Sequence, residues 1–104
     1  MRYADYAVFK TPANSQGGVI IFIRWQLHPR ISNIYDNHTL SVQISDAKHR
    51  LYVIGAYIHQ ASQVVASNVL EEMKQIQKNF LEAKIILAGD LNDSFDYIER
   101  KLEK

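Results

Sequence analysis

The sequence predicts a mixed α/β domain: mostly antiparallel strands followed by a right-handed βαβ unit. Three observations carry this. Short β-branched and aromatic runs succeed one another on brief connections through the first half. One long segment in the second half repeats its apolar residues at helical spacing. That segment lies between two strongly apolar runs of strand length, so strand, helix and strand form one unit with its two strands parallel.

The elements follow in order. "YAVF" (residues 6–9) is a short β-prone run ended by Thr11-Pro12. "GGVIIFIRW" (residues 17–25) is rich in β-branched and aromatic side chains and reads as a buried strand. The next stretch, "HPRISNIYDNH", reads as a loop, with Pro29 and Asp36-Asn37 as breakers. "TLSVQIS" (residues 39–45) alternates, with Leu40, Val42 and Ile44 on one face of a half-exposed strand. "DAKHR" is a polar turn, and "LYVIGAYI" (residues 51–58) is a second buried strand.

From residue 62 to residue 83 the period changes. Val65, Val69, Met73, Ile76 and Phe80 recur at spacings of three and four, and Leu70 and Leu81 widen the stripe. Glu71, Lys74, Gln75, Lys78 and Glu82 occupy the other side. The prediction is an amphipathic helix of about five turns. Its stripe should dock on the sheet through Val53 or its neighbours and Ile86 or its neighbours. "KIILAG" (residues 84–89) is the closing strand, and Phe95, Ile98 and Leu102 have the spacing of a second helix.

The totals fit this plan. At 104 residues, with 47% hydrophobic and 22% charged residues, the chain suits one small globular domain. A formal net charge of +1 neither demands nor excludes a nucleic-acid partner. The chain has no cysteine, which excludes disulfides and cysteine-held zinc. No apolar run approaches the roughly 18 residues of a membrane span, and "MRYADYAVFK" has no signal-peptide core. The expectation is therefore an intracellular protein, nuclear or cytoplasmic, with no membrane partner.

Chemistry concentrates at "AGDLNDSF" (residues 88–95), where an apolar strand runs into Gly89, Asp90, Asn92, Asp93 and Ser94. Ligands gather beyond the C-terminal ends of parallel strands, and Tyr57 and His59 end the neighbouring strand. Side chains two apart on extended backbone share a face, so Asp90 and Asn92 point together. A carboxylate can take a proton from water, and an amide can donate to an anionic oxygen. That pairing suits phosphate-ester hydrolysis. The competing reading makes Asp93 or Ser94 a helix N-cap, and spacing alone favours it. A calcium loop is excluded, because Phe95 stands where its sharp turn needs glycine and Lys101 where it needs a bidentate glutamate.

"GGVIIFIR", "LYVIGAYIHQ", a helix and "KIILAGDLN", in that order, resemble the middle of the endonuclease/exonuclease/phosphatase superfamily. The likeness is greatest to the endonuclease domains of non-LTR retrotransposon proteins. It spans residues 17–93, and Gly-Asp-Leu-Asn is its most specific piece. The resemblance implies a two-sheet α/β sandwich, of which residues 1–104 form a single partial domain. It implies that Asp90 orients or deprotonates the attacking water, that Asn92 binds phosphate, and that Tyr57 hydrogen-bonds a phosphate oxygen. It implies Mg²⁺ or Mn²⁺ as cofactor and DNA or another phosphodiester as substrate in the complete domain.

The chain also departs from that pattern. The family's Asn and metal-binding Glu on earlier strands, and its Asp-His pair near the C-terminus, have no counterpart here. His59 stands where members often carry proline. The expectation is a fragment that does not hold a metal firmly, with no metal ligands assigned, and whose uncovered sheet can self-associate. A non-catalytic remnant and a phosphatase of the same superfamily are the alternatives. His28, His38 and His49 read as solvated loop residues, Glu71 and Glu72 as solvated helix surface, and Arg24 and Arg30 as exposed charge.

Overall fold

The computed structural model describes residues 2–12, 18–35, 37–58, 63–91 and 100–101. Among these residues seven strands form two sheets. The smaller has the order β1-β2-β3, with β1 Arg2–Tyr3, β2 Tyr6–Lys10 and β3 Ile20–Arg24, all antiparallel. The larger has the order β4-β5-β6-β7, with β4 Arg30–Tyr35, β5 Thr39–Ser45, β6 Arg50–Tyr57 and β7 Lys84–Asp90. Its first two pairings are antiparallel and β6–β7 is parallel. The helix α1, Gln63–Asn79, joins those two parallel strands. The architecture is thus a partial α/β sandwich containing a βαβ unit, as the patterning and the resemblance imply. Among the described residues no helix is long and apolar enough to cross a membrane.

Alternation divides the larger sheet into two working faces. Leu40 and Val42 of β5 are fully buried against Ile23 of β3, with Phe9, Ile21 and Val53 around them, so the two sheets pack face to face. On the opposite face Tyr52, Ile54 and Ala56 of β6 form one core with Val65, Val69 and Ile76 of α1. The helix therefore sits on the neighbours of Val53 and Ile86 rather than on those two residues. Ile85 and Leu87 of β7 pack against the helix-side core, while Ile86 points the other way and is 49% exposed. Among the described residues no strand of the smaller sheet pairs beyond β3, and Ile86 is left half exposed.

Several boundaries differ from the sequence reading. The predicted 17–25 strand is extended only over Ile20–Arg24, and Trp25–Leu27 turn into a short 3-10 helix. The predicted 62–83 helix ends at Asn79, and Phe80 lies past it in a turn. There Phe80 stacks on Tyr52 at 6.4 Å and carries the Arg50 guanidinium 3.9 Å over its ring. Of the proposed second helix, Arg100 and Lys101 are helical, and Phe95, Ile98 and Leu102 lie outside the described residues.

The largest difference is β4, which falls inside the stretch read as a loop. It pairs along β5 with a register shift between Ile31 and Asn33. This strand changes the status of Glu72, which is only 2% exposed rather than solvated. Ser32 Oγ, Asn33 Nδ2 and Tyr35 Oη donate to its carboxylate at 3.3, 3.2 and 3.0 Å. A buried carboxylate persists when donors replace its lost water. Burial first, and then the hydrogen bond and charge of Glu72, push the Tyr35 hydroxyl up from 10.0 to about 12. Because the folded-state value is the higher one, this contribution is whole below pH 10 and is lost as pH rises through about 12. Urea melts at pH 9 and above pH 11 should show that loss, and Tyr35→Phe should flatten it. An equally steep decline in Tyr35→Phe would remove Tyr35 as its source.

Candidate functional site

The C-terminal ends of β6 and β7 carry the site. Tyr57 and Asp90 are register partners on these parallel strands, side by side at the strand ends. The pairing continues one step past β6, where Ile58 N–H donates to the Asp90 carbonyl at 2.7 Å. On the other side Tyr57 N–H donates to the His38 carbonyl at 2.9 Å. Both backbones are therefore fixed next to the side chains of interest. Tyr57 and Asp90 line one groove of about 420 Å³, together with Val19, Ile21, Gly55 and Ala88. The groove opens on the face of the larger sheet that meets the smaller one, and its floor is apolar.

Two glycines make this shape possible. Gly55 faces β3 so closely that a Cβ there would meet Val19 Cγ1 at 2.8 Å and Ile21 Cδ1 at 3.2 Å. Gly89 has φ of +127°, and a Cβ on it would overlap the Ala56 carbonyl. Only glycine adopts that backbone without strain, and it turns the chain directly before Asp90. Gly89→Ala should cost about 1–3 kcal/mol in urea melts; an unchanged melt would mean that this backbone relaxes freely.

The entry to β3 is clipped in place by Thr11, which is 4% exposed. Its N–H donates to the Val19 carbonyl, and its Oγ1 accepts from Val19 N–H, each at 3.0 Å. Thr11 and Gly55 thus shape the groove, and neither carries a local sequence signal beyond a Thr-Pro turn and a glycine within a strand.

Of the sequence-predicted site residues, Asp90 and Tyr57 are brought together, whereas Asn92 lies outside the described residues, as do His59 and the cap candidates Asp93 and Ser94. His38 departs from the solvated-loop reading. It is 8% exposed, and its ring centre lies 6.0 Å from that of Tyr57 at an interplanar angle of 37°. It forms a wall behind the tyrosine. His28 and His49 are exposed, as read. Arg24 lies at the far end of β3 with its guanidinium 5.6 Å over the Tyr6 ring, and Arg30 begins the edge strand β4. Neither lines the groove. Among the described residues no group of three or more His, Asp or Glu side chains could hold a metal ion.

With this arrangement established, one solved structure is informative. The endonuclease domain of TRAS1, a telomere-specific non-LTR retrotransposon, matches 97% of this chain with a TM-score of 0.57. The chain has the fold of part of that endonuclease domain. At 13% sequence identity the likeness is one of fold, and the chain spans 52% of the length of the solved domain. No family model matches the chain, and no curated protein matches it in sequence.

Proposed function

We propose that this chain is the central part of a nuclease-like domain that hydrolyses phosphodiester bonds in nucleic acid, with Asp90 and Tyr57 at the reacting phosphate. The observation that carries the reading is the pairing of Tyr57 with Asp90 across the ends of two parallel strands, at one end of a single groove. The endonuclease-type fold supports it. Asp90 accepts a proton from the attacking water as its oxygen bonds to phosphorus and the leaving P–O bond breaks. The Tyr57 hydroxyl donates to a non-bridging phosphate oxygen, held in place by the His38 wall. Asn92, two residues beyond Asp90, supplies an uncharged donor to the same phosphate.

The family resemblance implies Mg²⁺ or Mn²⁺, which would stabilise the nucleophile and the leaving oxygen. Mg²⁺ is usually held by one or two carboxylates together with substrate phosphate and water. Among the described residues Asp90 is the only carboxylate lining the groove, so those residues do not by themselves make that site. The direct test is a chimaera in which the solved endonuclease domain supplies the other strands around this chain. Metal-dependent cleavage of DNA by the chimaera, lost in its Asp90→Asn form, supports the reading. A folded chimaera without cleavage would favour a non-catalytic use of the fold, and one that cleaves only small phosphomonoesters would favour a phosphatase.

A further inference from the structure

A second pocket lies at the opposite end of the larger sheet, where β6 begins, roughly 23 Å from Tyr57 along that strand. It has a volume of about 510 Å³ and is made of two connections, the 46–50 turn leading into β6 and the 78–83 turn leading from α1 into β7. Both turns are held internally. Asp46 accepts from the N–H groups of Lys48 and His49, each at 2.8 Å, and lies 3.3 Å from His49 Nδ1. Phe80 N–H donates to the Ile76 carbonyl, and Ala83 N–H to the Phe80 carbonyl. The Asp46 charge is thus spent within its own turn. Lys48, Arg50 and Lys78 remain, three permanent cations facing the carboxylate of Glu82. Among the described residues no carboxylate pairs with any of the three.

Arg50 is the member set in place. Its guanidinium lies 3.9 Å over the Phe80 ring, and that ring stacks on Tyr52 at 6.4 Å. Stacking uses the face of the guanidinium and leaves the N–H groups along its edge to donate elsewhere. A planar fork held flat on an aromatic ring, flanked by two lysines, matches a phosphate group, which offers paired acceptor oxygens and close to two negative charges.

We propose that this pocket binds a terminal phosphate group, with Arg50 as the bidentate donor and Lys48 and Lys78 as flanking charges. A monoester suits it better than a diester. With Asp46 engaged by its turn, three cations against Glu82 leave an excess that a terminal phosphate neutralises and a singly charged diester does not. The last carbonyls of α1 carry partial negative charge at this end, and Lys78 in the last turn offsets them. The pocket is larger than a bare phosphate and has the size of a small-ligand site, so the phosphate arrives with a group attached, such as a nucleoside. A free mononucleotide and the phosphorylated end of a nucleic acid share this chemistry. The inference is independent of the phosphodiester reading, since the pocket shares no residue with the groove at Tyr57 and Asp90.

Two-dimensional NMR titration of the 104-residue chain tests it, with adenosine monophosphate, adenosine, and an oligonucleotide with and without a 5′-phosphate as probes. The expected result is a set of saturable amide shifts with the monophosphate, centred on residues 47–50 and 79–83, and none with adenosine. Arg50→Gln should weaken binding by about tenfold or more, and Arg50→Lys should not restore it, because the charge returns without the fork. Lys48→Gln, in an exposed turn, weakens binding in the same direction and leaves the Phe80 stack intact, while circular dichroism confirms that each variant folds. Glu82→Gln removes the opposing carboxylate and should strengthen binding roughly two- to fivefold. Binding of the phosphorylated oligonucleotide as tightly as the monophosphate assigns the site to a nucleic-acid end, and binding of the monophosphate alone assigns it to a free nucleotide; either supports the proposal. Equal binding of adenosine, shifts confined to the Tyr57 end, or affinity indifferent to Arg50→Gln and Lys48→Gln would overturn it. So would loss of binding in a folded chimaera completed with the other strands of the solved endonuclease domain.

Discussion

Replacing Asp90 by asparagine in a completed domain should lower phosphodiester cleavage by roughly two to four orders of magnitude while leaving the melting curve within about 0.5 kcal/mol of the parent. The substitution keeps the size and planarity of the side chain and removes only its negative charge and its ability to take a proton. It therefore separates chemistry from shape. Gly89 still turns the backbone, the Asp90 carbonyl still accepts from Ile58, and the Tyr57 register is unchanged. A purely structural Asp90, serving the turn before a helix, makes the opposite forecast: asparagine fills turns and caps about as well as aspartate, so neither activity nor stability should move. Cleavage assays with and without EDTA, beside urea melts of the same proteins, read both quantities. Undiminished cleavage by the Asp90→Asn domain would end the assignment. The 104-residue chain alone should show little or no metal-dependent cleavage, since among the described residues Asp90 is the only carboxylate lining the groove.

What was legible in the sequence is what depends on one periodicity at a time. The helix was visible because Val65, Val69, Met73 and Ile76 recur on one face and all are buried. The strands β6 and β7 were visible because both are apolar over most of their length, and their order around the helix fixed the parallel pair. From that pair the placement of Tyr57 beside Asp90 follows, since both end their strands.

What was missed depends on partners distant in sequence. The edge strand β4 has five exposed residues and one half-buried residue, so its pattern gives no buried face to read, and Pro29 before it suggests a loop. Missing β4 also hid the role of Glu72. A glutamate on a helix looks solvated until a strand more than thirty residues earlier brings three donors to it. His38 looked like a loop residue for the same reason: its burial comes from packing beside Tyr57, at the start of a strand whose partners are not local. Phe80 fitted the helical stripe, yet it serves the core from beyond the helix end, stacked on Tyr52. The roles of Thr11 and Gly55 arise only where the two sheets approach each other, and no local pattern announces that contact.

The whole scaffold depends on α1 covering one face of the larger sheet, and Val69→Asp is the sharpest test of that cover. Val69 is fully buried, in a core shared with Ile54, Ala56 and Ile58, which are at most 1% exposed. An aspartate there must either remain charged without a partner or take up a proton and stay underhydrated. The expected loss is about 3–5 kcal/mol, against a total of about 5–15 kcal/mol for an ordinary domain. Burial disfavours the charged carboxyl, so its value in the folded state rises above that in the unfolded chain. The penalty should accordingly shrink as pH falls through that raised value, the reverse of the usual acid weakening. Glu71→Ala, on the exposed side of the same helix, should stay within about 0.5 kcal/mol. Circular dichroism and urea melts of the two variants at pH 7 and pH 5 measure all of this. A Val69→Asp protein as stable as the parent at pH 7 would mean that α1 does not dock on the sheet through this stripe, and the groove that depends on β6 and β7 lying side by side would lose its support.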